Sequence, residues 1–90
     1  QQAFGPTKDL LEQLNAEARD LIAKLPENKQ TKAASNLELA IKAVTSTPPE
    51  RPWYDVSAAG LMEAAKYAKD FTGNIAGTLK NLGKTVIWPD

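Results

Sequence analysis

Ninety residues without one cysteine or histidine cannot form a disulfide, a thiolate or imidazole metal site, or use the commonest general base. Eleven basic residues balance eleven acidic ones, so no global field draws the chain onto phosphate backbones, and nucleic acid is not an expected partner. A chain this short buries only about 60% of the surface its unfolded form exposes, which leaves one thin apolar layer and no room for a deep substrate pocket.

No window approaches the roughly 18 consecutive apolar residues that a membrane-spanning helix needs, and no basic-then-apolar leader is present. The expectation is a single cytoplasmic domain covering residues 1–90. Because the sequence starts at Gln1 rather than methionine, it reads as one module of a larger protein.

After a short polar lead from Gln1 to Gly5, Thr7 is placed to cap a first helix and Asp9 to favour its positive end. Leu11, Leu14, Ala18, Leu21 and Leu25 step by three and four, with Leu10 and Ile22 widening the stripe, so a helix is expected over about 7–25. Pro26 lacks an amide hydrogen but suits a first turn, and makes a corner into an antiparallel second helix over about 27–45. Ala34, Leu37, Ile41 and Val44 form its stripe, with Ala33 and Ala40 beside them. Pro48 and Pro49 end it. The stretch 47–55, TPPERPWYD, reads as a stiff connector that lays Trp53 and Tyr54 over the open end of the helical pair.

Ser57 then reads as an N-cap, with Val56 and Leu61 forming a hydrophobic staple, and a third helix is expected over about 57–87. Its stripe runs through Leu61, Ala65, Ala68, Thr72, Ile75, Leu79, Leu82 and Val86. Unbroken, it would reach roughly 45 Å against about 28 Å for each earlier helix. Either it breaks near Gly73, or its second half projects and needs another surface to cover it. The expected core is Leu11, Leu14, Leu21, Leu37, Ile41, Val44, Trp53, Leu61, Ala65, Ala68 and Phe71.

Reactive chemistry is thinly represented. Glu12, Glu17, Asp20, Glu38 and Glu63 occupy polar helix faces near lysines, as solvated surface pairs do, and Ser35, Ser46 and Ser57 lack a histidine partner. No catalytic, cofactor-binding or metal residue is expected. Gly73 and Gly77 have the GxxxG spacing of close helix contacts but lie outside the long apolar segment in which that motif acts, and Pro49-Glu50-Arg51-Pro52 fits PxxP, for which a stiff connector accounts better. Between Asn74 and Ile87 stand Lys80 and Lys84 with no acid, so this segment is modestly cationic and amphipathic.

The string from Pro52 to Ala65, PWYDVSAAGLMEAA, resembles the proline–tryptophan junction before a final amphipathic helix in helical C-terminal accessory modules of bacterial multidomain signalling and defence proteins. That resemblance implies a non-catalytic module beside an effector domain and carries no functional residues. The resulting expectation is all-α: an antiparallel three-helix bundle with a long or kinked third helix. Its function would be protein–protein interaction or self-assembly, with Ile75, Leu79, Leu82, Val86, Ile87 and Trp88 covered by another domain or a second copy. The alternative is a module whose C-terminal helix lies on a membrane surface.

Overall fold

The helical periods become four helices in the computed structural model, which describes residues 5–89: α1 (Gly5–Ala23), α2 (Glu27–Thr45), α3 (Arg51–Ala65) and α4 (Ile75–Thr85). Residues 1–4 of the polar lead and Asp90 lie outside that range. The chain is all-α, but the expected third helix is two helices. Its break spans residues 66–74, and Asp70 there takes a left-handed φ of 63°, which aspartate tolerates better than most residues. Across the break, Lys24 Nζ donates to the Asp70 carbonyl at 3.0 Å and pairs with Asp20 at 3.2 Å. The turn is thereby tied to the end of α1.

The longest dimension of the molecule is 36 Å, too short for an unbroken helix of roughly 45 Å. Its radius of gyration, 12.4 Å, matches the roughly 12 Å of a compact domain this size. α4 therefore doubles back instead of projecting. Gln13 and Glu17 of α1 meet Thr78 of α4, and Lys24 meets Asp70, so these two helices run in opposite directions. Each helix opposes the one before it, and α4 closes the ring against α1. α2 and α3 share the most extensive interface, while α3 and α4 share the thinnest of the four.

Local chemistry explains the remaining differences from expectation. Thr7 is not a cap but a buried residue inside α1, which starts at Gly5. The Pro26 corner holds, closed by Gln30 Nε2 donating to the Leu25 carbonyl at 3.1 Å. α3 begins six residues before the expected Ser57 cap, at Arg51 with Pro52 in the first turn. Proline is well tolerated there because its missing N–H would have had no helical partner. Ser57 is fully buried in mid-helix, its hydroxyl shared between the Trp53 and Tyr54 carbonyls at 2.9 and 3.0 Å, so it bonds back to its own helix.

An early helix start also reassigns the aromatics. Tyr54 is buried at 3% exposure, but Trp53 is 54% exposed and Val56 61%, so the tryptophan plug and the Val56–Leu61 staple are both absent. PxxP is likewise split, with Pro52 helical and Pro49 in the connector. Gly73 stands outside any helix, and Gly77 faces its own N-cap Asn74, whose Oδ1 accepts from the Gly77 amide at 3.0 Å. The GxxxG spacing therefore makes no helix–helix contact.

The core is one cluster drawn from all four helices, with Leu14, Leu21, Leu61 and Leu82 fully enclosed. Of the expected core, Leu37 and Val44 are also buried, whereas Leu11, Ile41, Ala65, Ala68 and Phe71 pack at its edge. Among the described residues no buried side-chain nitrogen or oxygen lacks a partner.

Candidate interaction surface

Amphipathicity marks one side of α4 as apolar, and the fold spends that side internally. Ile75, Leu79, Leu82 and Val86 are all buried in the common core. The expected exposed stripe is therefore not a surface: once the break lets α4 turn back, α1 supplies the cover. Thr78 sits at the centre of that join, 2% exposed. Its hydroxyl donates to Glu17 Oε1 at 2.6 Å, while Gln13 Nε2 donates to Thr78 Oγ1 at 3.0 Å and approaches Glu17 Oε2 at 3.3 Å. A charged acceptor makes this a strong polar clasp between α1 and α4.

Trp88, also expected outside, folds back across the ends of α3 and α4. Its indole Nε1 donates to the Gly83 carbonyl at 2.8 Å, its ring centroid lies 5.3 Å from that of Tyr54, and the Arg51 guanidinium stands 6.0 Å away. Tyr54 in turn donates its hydroxyl to the Leu79 carbonyl. Burial pushes the Tyr54 phenol above its usual range, and the nearby Asp55 carboxylate adds to the rise. Only Ile87 of the expected set is freely exposed, at 77%.

The structure places free apolar surface elsewhere. Near the start of α3, Pro52, Trp53, Val56 and Ala59 are all exposed, and the three-residue steps from Trp53 to Val56 to Ala59 put the last three along one side. α3 and the turn after it meet α2 at two points. Asn36 lies where a side chain on Gly60 would stand, and Lys29 Nζ lies 4.0 Å above the Tyr67 ring. Counting the helix from Pro52, where proline is permitted, would have exposed this face; starting at Ser57 hid it.

A second feature is the cleft between α3 and α4, about 480 Å³, lined by Tyr54, Ala58, Leu79 and Gly83 along the middle and by charged residues at its edges. Gly83 has no positive φ, and a Cβ there would meet Tyr54 Cε2 at an ordinary 3.7 Å. Neither backbone strain nor close packing requires this glycine, which costs an α-helix about 1 kcal/mol relative to alanine.

Chemically, the described residues contain no group of three or more Asp, Glu, His or Cys close enough to hold a metal ion. Among them no helix is long and apolar enough to cross a membrane. Comparison of the chain with protein-family models, with curated proteins and with solved structures finds no match in any of the three.

Proposed function

We propose that this chain is a non-catalytic helical module that associates with another protein surface, a second copy included, through the outer face of α3. The observation that carries the reading is the exposure of Trp53 and Val56 one turn apart on a helix whose other side already completes the core. Tryptophan is the residue most enriched at the energetic centres of protein interfaces, and more than half of this one's surface is open to solvent. The site moves from the C-terminal helix, where the sequence alone put it, to the start of α3.

Sedimentation velocity over a concentration series up to about 1 mM, where an association worth only about 4 kcal/mol becomes visible, tests the self-association form. A mass that rises with concentration is expected, and Trp53→Lys with Val56→Lys should hold the chain monomeric. Wild-type protein that stays monomeric throughout removes self-association, and equal assembly of wild type and variant moves it off this face. The membrane-surface reading has less support, because Ile75, Leu79 and Leu82 would have to leave the core to reach lipid. Co-sedimentation with anionic and neutral vesicles separates the two readings, since protein association predicts binding to neither.

A further inference from the structure

The α3–α4 cleft has a defined chemistry as well as a shape. Along its middle, Tyr54, Ala58, Leu79 and Gly83 present apolar or small groups, and the one polar side-chain atom among them, the Tyr54 hydroxyl, is already committed to the Leu79 carbonyl. The rim holds Arg51, Lys80 and Lys84 against a single acid, Asp55, and that acid is paired with Arg51 at 3.6 Å. Lys80 and Lys84 are exposed, one turn apart on α4, and among the described residues neither has a carboxylate within ion-pair distance. A cleft with an apolar floor thus carries an uncompensated positive edge.

Its length is also informative. From Arg51 to Met62 the α3 wall covers three helical turns, about 16 Å, and the α4 wall from Ala76 to Lys84 about 12 Å. Helices that dock in grooves use anchors at i, i+3 or i+4, and i+7, which occupy that span. Gly83 and Ala58 are what keep the floor open. Gly83 in particular sits in a helix without needing to be glycine for backbone or packing reasons, so its effect is to leave space.

We propose that the α3–α4 cleft docks an acidic amphipathic helix of another protein. Its apolar side chains lie over Tyr54, Ala58 and Gly83, and its carboxylates meet Lys80 and Lys84. This site is on the opposite side of α3 from Trp53 and Val56, since Met62 stands about half a helical rotation from Trp53, and so it goes beyond the association proposed above. A lipid surface is a poorer fit. The apolar floor is recessed rather than raised, and two lysines fall short of the clusters of about 4–8 cations that hold proteins on anionic membranes.

The test uses a fluorescently labelled synthetic helix with leucines at i, i+3 and i+7 flanked by glutamates, and its twin with lysines in place of the glutamates. Fluorescence anisotropy should show saturable binding of the acidic helix to the full chain, weakening with added salt. Lys80→Glu with Lys84→Glu, at two exposed positions, should weaken it at least tenfold and transfer preference to the lysine helix. Gly83→Leu, which fills the floor, should abolish binding while circular dichroism reports an intact fold, and Trp53→Lys with Val56→Lys should leave binding unchanged. If the acidic helix does not bind the wild-type chain, or binds the charge-reversed variant equally well, the proposal is overturned. Binding to phosphatidylglycerol vesicles that depends on Lys80 and Lys84, without binding of the helix, overturns it in favour of a membrane.

Discussion

α3 is bounded by two seams of opposite character. Toward α2 it makes the broadest contact in the molecule, and toward α4 the thinnest. Each seam contains a glycine, and the two glycines differ in kind. A Cβ on Gly60 would fall 2.3 Å from Asn36 Nδ2, inside any real contact, whereas one on Gly83 would meet Tyr54 Cε2 at 3.7 Å. The first glycine makes room for a side chain of the neighbouring helix; the second leaves the space beside it unfilled. Glycine content alone therefore says nothing about tightness, and what decides it is whether a neighbouring side chain occupies the vacated volume.

The largest effect should come from the fully enclosed apolar side chain of α3. Leu61, fully buried on α3, should cost about 2–5 kcal/mol when cut to alanine, measured by urea unfolding. A loss below about 1 kcal/mol would mean that α3 is not held by the common core.

Next is Tyr54→Phe, which removes the hydroxyl bond across the loose seam and should cost about 1 kcal/mol. Amide exchange should quicken in α4 and stay unchanged in α2, and equal quickening in both would deny that the seams are separable. The same variant has a pH signature. Because burial raises the Tyr54 phenol above its unfolded value, the folded state holds the neutral form. That contribution is complete below a pH of about 10, the unfolded value, and declines as pH climbs from there toward the folded value. Wild-type stability should accordingly fall more steeply above about pH 10 than that of Tyr54→Phe, and parallel curves would exclude it.

Smaller still is the contrast between the glycines. Gly83→Ala should stabilise by up to about 1 kcal/mol through helix propensity, while Gly60→Ala should lose much of that gain to displacement of Asn36. Placing Gly60→Ala in an Asn36→Ala background should recover it, a coupling that a double-mutant cycle reads directly. The smallest change belongs to Trp53→Ala, which should alter stability by no more than about 0.5 kcal/mol because the ring is mostly in solvent.

Much of the fold was legible from the chain, and the parts that were not share a cause. Three- and four-residue steps located α1 and α2, and Pro26 marked their corner, because apolar period and proline act locally. The glycine near 73 marked one of the two alternatives for the third helix, and the break took it. Pro49 and Pro52, in contrast, were read alike as connector, although a helix accepts proline in its first turn. Ser57 was read as a cap because serine's preference for caps is statistical, while its hydroxyl here finds carbonyls of its own helix. The stripe expected to face a partner lies inside the fold for a different reason. Periodicity identifies which side of a helix is apolar but not what covers it, and Ile75, Leu79 and Leu82 are covered by the same chain. The open cleft left no mark in the apolar pattern at all, since it arises from small residues on two helices that are distant in sequence.

The antiparallel join of α1 and α4 also bears on connectivity. With Lys24 beside Asp70 at one end of that pair, the start of α1 and the end of α4 meet at the other. The four helices thus form a closed cycle in space that the covalent chain opens at one arbitrary point. A circular permutant cut within residues 66–74, with a short glycine–serine bridge restoring continuity between Asp90 and Gln1, should trace the order α4–α1–α2–α3 and keep the same core. The fold would then be a property of the ring of neighbours, independent of which corner is left open.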